Sequence, residues 1–153
     1  MRKIDWCKEQ KKGFRIQQPS ENLSRGYILK ANTALEAMRE VDSFEWKIVT
    51  SYYSIYFSLY SLLMQLGLKS EIHSCTIEFA KKFLTDYFSE LELTFIEDAF
   101  ELRNKLQYYL DYTITRDKID EFSQKTLMFH IKCKQVRFSQ NEIKSIRKQF
   151  DHG

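Results

Sequence analysis

Apolar residues recur at three- and four-residue steps along most of the chain, the period of helices that bury one face. Behind Ser20, suited to cap a helix, Leu23, Tyr27, Ile28, Ala31, Ala34, Leu35 and Met38 keep this spacing to about Val41. Asp42-x-x-Glu45 reads as a capping-box variant that opens a second helix, which runs to a stop at Gly67. A third helix is expected over 74–87, with Ile77, Phe79, Ala80, Phe83 and Leu84 inward. A fourth covers about 90–110 with Ile96, Ala99, Phe100, Leu106 and Leu110 inward. Thr115 or Asp117 starts a fifth that carries Ile119, Phe122, Leu127 and Ile131, and Ser139-x-x-Glu142 is a capping box for a final helix. A short helix over 3–12 precedes a connector leading to Pro19. One Pro and four Gly leave little punctuation for hairpins, and no strand pattern stands out. The expectation is one all-α domain over 1–153, an antiparallel bundle of four to five helices with its core at about 20–135. A basic segment, 1–19, and a basic helix, about 139–151, flank that core.

Val49 to Leu68 is twenty residues without a charge, long enough to span a bilayer. It holds Thr50, four Ser, Gln65 and four Tyr, which a lipid-facing helix does not, so a central helix surrounded by its own bundle is expected and no membrane span. Ser51, Ser54, Ser58 and Ser61 line one side of it, where small side chains let a neighbouring helix approach closely. Tyr52, Tyr53, Tyr56, Phe57 and Tyr60 fill much of the rest as core.

The net charge of +3 is unevenly spread: residues 1–15 and 130–153 each carry +4, which leaves −5 for the middle. Basic ends permit contact with nucleic acid or an acidic partner, and equally serve as solvated ends. Cys7, Cys75 and Cys133 are an odd set with no Cys-x-x-Cys, and Met1-Arg-Lys-Ile-Asp-Trp is no signal peptide, so the expected location is the cytoplasm. His73-x-Cys75 with His130-x-x-Cys133 can be drawn as a zinc site, but such short pairs arise easily as ordinary core or surface residues. No metal and no cofactor is expected.

Arg103 breaks the apolar stripe of the fourth helix. A guanidinium there is costly unless a carboxylate such as Glu97, Asp98 or Asp111 pairs with it, or it opens onto a cleft and meets a phosphate. Asn104, Gln107, Tyr108, Tyr109 and Tyr112 add donors and aromatic faces suited to a nucleotide, or to a polar dimer seam.

The run Ser51-Tyr-Tyr-Ser-Ile-Tyr-Phe-Ser-Leu-Tyr, then Gly67-Leu, then His73-Ser74, resembles the HEPN superfamily, in particular small prokaryotic and archaeal members. Asp5-Trp-Cys-Lys, Gln10-Lys-Lys-Gly13 and Glu21-Asn-Leu with Tyr27 and Lys30-Ala31 add to the resemblance, which covers about residues 4–135. It implies a HEPN-type bundle that forms homodimers and pairs with a minimal nucleotidyltransferase in a toxin–antitoxin arrangement. Active members are metal-independent ribonucleases whose motif is Arg, four to six residues, then His. Arg103-Asn104 matches its first half, whereas Tyr108, Tyr109 and Leu110 stand at the His positions. Some family antitoxins carry AMP on a Tyr just after that His; Leu110 occupies this register here, so the modification is not expected. Loss of the His removes a base with pKa near 6.5, and a Tyr with pKa of about 10 is a poor substitute. Residues five apart on a helix are also rotated by about 140°, so Arg103 and Tyr108 converge only if two copies face each other. Within one chain His73 is the other candidate for proton transfer. The resulting expectation is a dimeric binding or regulatory module that contacts RNA or nucleotide. The alternatives are an active ribonuclease using Arg103 with Tyr108 or His73, and a protein–protein scaffold.

Overall fold

The computed structural model describes all 153 residues. Seven helices form: α1 Lys3–Glu9, α2 Glu21–Glu40, α3 Phe44–Leu66, α4 His73–Phe83, α5 Glu90–Tyr108, α6 Arg116–Gln135 and α7 Gln140–His152. The chain is all-α except for a two-residue antiparallel ladder, β1 Arg15–Ile16 and β2 Leu68–Lys69, which pairs Arg15 with Lys69 and Ile16 with Leu68. No periodicity in the sequence announced that ladder. It forms because α3 ends at Gly67 in the left-handed region, φ 75°, and the connector lies across that end. Gln17 N–H donates to the Gly67 carbonyl at 2.9 Å, and Ser20 N–H to that of Met64 at 2.9 Å. A Cβ at residue 67 would sit 2.4 Å from the Gln17 carbonyl oxygen, so both the dihedral and the space demand glycine.

Caps fix most helix starts. Ser20 accepts from Leu23 N–H, Thr115 from Lys118 N–H, and Ser139 with Glu142 closes a reciprocal capping box. A second box, Ser89 with Glu92, starts α5. The cap of α3 is Ser43, not Asp42: its hydroxyl accepts from Trp46 N–H at 3.3 Å. The first helix stops at Glu9 rather than 12, and α4 at Phe83 rather than 87.

α3 lies at the centre, with α2 and α6 along it and α5, α4, α7 and β2 completing the enclosure. Sixteen of its twenty-three residues are buried, including all four serines of the stripe. No helix is long and apolar enough to cross a membrane. Of the positions the pattern named, Ile77, Phe79, Ala80 and Phe83 are buried on α4 and Leu84 at its C-cap, while Cys75 and Thr76, which it did not name, are buried too. On α5 the stripe uses Leu102 and stops at Leu106, because Leu110 falls beyond the helix end and is fully exposed. On α6, Phe129, His130 and Cys133 are buried while Ile131 is exposed, and on α2 Leu23 is exposed. A tyrosine hydroxyl, Tyr87, donates to the Glu142 carboxylate and ties the α4–α5 connection to α7.

The two basic ends are part of the core rather than appended to it. Ile4 and Cys7 of α1 and Ile146 and Phe150 of α7 are buried. Phe150 packs edge-on against Phe14, Phe79 and Phe83. The Lys8 ammonium donates to the Phe150 carbonyl, and Arg2 Nη2 donates to the Gly153 carbonyl at 2.6 Å. Cys7 and Cys75 are joined in a disulfide between α1 and α4, leaving only Cys133 free and buried. The odd cysteine count without Cys-x-x-Cys had suggested the cytoplasm and no disulfide pairing. Two cysteines 68 residues apart meet only when α1 docks, which the sequence does not reveal.

The seam between α3 and α6 holds a buried polar pair. Ser58 Oγ lies 2.8 Å from His130 Nδ1, and His130 Nε2 is enclosed without a partner. Burial, then the charges of Lys134 and Arg39, hold His130 below its ordinary pKa of 6.5.

Cutting the Cys7–Cys75 link frees a long loop in the unfolded chain, so reduction, or Cys7→Ser with Cys75→Ser, should cost about 2–4 kcal/mol. Urea titrations with and without a thiol reductant measure it, and coincident curves would mean that the link contributes nothing. A second expectation concerns acid. Because the folded pKa of His130 is depressed, the unfolded chain takes up the proton first as pH falls below 6.5. Its contribution is complete above that pH and declines below it. The urea midpoint of His130→Gln should therefore fall less between neutral and mildly acidic pH than that of the wild type; equal slopes would remove His130 from the acid response.

Candidate functional site

Arg103 projects from α5 toward α3 and settles on an aromatic bed. Its guanidinium carbon is 4.6 Å from the Tyr52 ring centre, 5.6 Å from that of Phe100 and 5.8 Å from that of Tyr53. Nη1 donates to Gln107 Oε1 at 3.0 Å, the neighbour one turn on. No carboxylate pairs with it: Glu97 binds Lys81 at 3.0 Å, and neither Asp98 nor Asp111 reaches it. Its Nε is enclosed without an acceptor. Stacking on a ring contributes about 0.5–2 kcal/mol, and one bond to a charged group about 1.5–3 kcal/mol. Withdrawing an ion from water costs several kcal/mol. At a half-buried residue these nearly balance, and an anion against the open side of the guanidinium would tip the sum toward stability.

His73 stands at the start of α4, on the same bed. Its ring stacks on Tyr56 at 3.9 Å between centres and 15° between planes, and Nδ1 lies 2.7 Å from the Tyr52 hydroxyl. Burial pushes the Tyr52 phenol up, with the Arg103 charge opposing, so it keeps its proton. The Tyr52 hydroxyl and Nδ1 form one hydrogen bond, and the imidazole tautomer sets which of them donates. Burial first, and the Arg103 charge second, hold His73 below 6.5, so the ring is neutral at pH 7. Tyr56 continues the network to Thr76 Oγ1 at 3.2 Å, and Tyr60 accepts from Ser70 N–H at 3.1 Å. The arrangement is a fixed cation beside a neutral, oriented imidazole, joined by one tyrosine. It can hold an anion and exchange a proton near it.

Of the residues singled out from the sequence, Arg103, Gln107 and His73 come together here. Asn104 is half-buried and its side chain makes no hydrogen bond. Tyr108 is 76% exposed and points away from Arg103, as five steps along a helix require. Tyr109 and Tyr112 belong to a neighbouring groove of about 340 Å3 with Phe44, Leu106 and Ile114; Gln107 lines it too and links the two places. The drawn zinc arrangement is not assembled, since Cys75 is bonded to Cys7 and His130 to Ser58. Sequence reasoning took Tyr52, Tyr53 and Tyr56 for core and missed their part in the site. The available signal was that this row of rings lies on the helix next to an unpaired Arg. No protein-family model matches the chain and no curated protein matches it either, so the site is read from its own geometry.

Proposed function

We propose that the chain is a binding module of HEPN type, in which Arg103 receives a phosphate group of RNA or a nucleotide while a minimal nucleotidyltransferase is its protein partner. The observation that carries the phosphate reading is the half-buried guanidinium on Tyr52, unpaired with any carboxylate and with one nitrogen enclosed without an acceptor. A planar fork of this kind suits bidentate contact with a phosphate, and Tyr53 and the exposed Tyr109 offer faces on which bases can stack. The partner protein rests on the resemblance alone.

A second reading, metal-independent ribonuclease, is favoured by one observation: the neutral imidazole of His73 stands on the same aromatic bed as Arg103. In the tautomer whose Nδ1–H donates to Tyr52, Nε2 is free to take the proton of a ribose 2′-hydroxyl while Arg103 steadies the phosphate. The missing His after Arg103 and the burial around His73 favour binding without efficient cleavage.

Short single-stranded RNA and mononucleotides, titrated in EDTA, should bind wild type at least about tenfold more tightly than Arg103→Ala, with Arg103→Lys in between because it keeps the charge and loses the fork. The melting temperature of Arg103→Ala should stay close to that of wild type. A loss of several degrees with binding intact would instead make Arg103 a structural group and favour a scaffold. In the same EDTA buffer, prolonged incubation with RNA should leave it uncut. Cleavage that Arg103→Ala and His73→Asn both abolish, with a rate that rises to a plateau near neutral pH, would establish the ribonuclease reading.

A further inference from the structure

The row of rings on α3 continues past the Arg103 site. Tyr53 and Phe57, one turn apart, have ring centres 5.9 Å apart and planes 25° apart. Tyr27 of α2 lies 6.0 Å from Phe57 with 27° between planes. Rings this nearly parallel at such a spacing are offset rather than face to face, so the three make a tiled floor. All three are half-buried, and part of each ring meets water.

A cation stands at each end of Tyr53 and Phe57. The Arg103 guanidinium is 5.8 Å from the Tyr53 ring centre, and the Lys30 ammonium, from α2, is 4.7 Å from that of Phe57. Lys30 is exposed and enters no ion pair, in contrast to Arg25 with Glu21 on the same helix. The residues three and four positions from it, Gly26, Tyr27, Thr33 and Ala34, include no acid. Glu71, whose charge reaches Tyr60 further along α3, is tied to Lys69 at 4.0 Å. The ring holds Lys30 over the floor without neutralising it, as Tyr52 does for Arg103.

Two rings separate the two cations, so one phosphate cannot meet both. A strand of nucleotides can, because phosphates and bases alternate along it and an unpaired base can lay its face on a ring. A mononucleotide fills one end only, and a duplex keeps its base faces covered. We propose that Lys30, Phe57 and Tyr27 form a second phosphate and base subsite, and that the ligand of this surface is a single-stranded nucleic acid running from Arg103 over Tyr53 and Phe57 to Lys30. The proposal rests on Arg103 as a phosphate site and adds to it a length, a strandedness and a second anchor.

Titrations in EDTA with uridine monophosphate, with oligouridylates and oligothymidylates of two, four and eight nucleotides, and with a fully paired duplex test this. Circular dichroism verifies that each variant is folded. Wild type should bind the eight-nucleotide strand at least about tenfold more tightly than the monophosphate, and more tightly than the duplex. A gain in either series supports the subsite, and the series that shows it tells RNA from DNA. Lys30→Gln should lose most of the gain, and its slope of log affinity against log salt should be shallower by about 0.7, as loss of one phosphate contact requires. Phe57→Leu should lose much of the gain as well. Lys144→Gln, which removes an exposed charge from α7, should keep the gain. Affinity that does not rise with length, a duplex bound as tightly as the strand, or Lys30→Gln with full gain and slope would overturn the second subsite, while Arg103→Ala on the monophosphate still decides the first. Unweakened binding of every ligand by Arg103→Ala would instead sink the reading of Arg103, and the two-anchored strand with it.

Discussion

A helix with no charge from Ile48 to its end at Leu66 cannot face water along any side without exposing a broad apolar surface, and the rest of this structure follows from covering α3. Its serines are the means. At Ser51, Ser54, Ser58 and Ser61 there is little side chain to hold a neighbour off, and all four are fully buried. Ser58 also supplies the oxygen that meets His130 across the seam with α6, so close approach does not leave that imidazole wholly unsatisfied. Covering so long a helix needs more than one neighbour, which is why α2, α4, α5, α6 and α7 all touch it. The two ends of the chain close the assembly together: α1 and α7 meet over α4, held by the Cys7–Cys75 link and by aromatic packing around Phe150.

The same central helix creates the candidate site. Its tyrosines turn rings toward α4 and α5, and Tyr52 serves as core residue, hydrogen-bond partner of His73 and platform for Arg103 at once. A cation on such a platform is tolerable without a carboxylate because the ring face and Gln107 replace part of its hydration. The remainder of that hydration is what an anion would replace. The arrangement thus trades some stability for a charge that is exposed on one side and fixed on the other.

What the sequence by itself determined was the element order from Ser20 onward. Ser20, Thr115 and the Ser139–Glu142 box mark helix starts through side-chain atoms within three residues of the backbone they serve, and Gly67 marks a stop through its own dihedral. Periodicity found most of the buried face of α4, Ile77, Phe79, Ala80 and Phe83, because that face repeats within one helix, while Leu110 misled because its helix ends before it. It also isolated Arg103, since one cation in an apolar stripe is visible in one dimension. What only the tertiary structure decided involves residues far apart in the chain: Cys7 with Cys75, Ser58 with His130, β1 with β2, and His73 beside Tyr52. Local rules carry the geometry of a single helix, whereas these pairings depend on how helices are rotated and seated against one another. That rotation is fixed by the packing of α3 as a whole, and no short stretch of the sequence holds it.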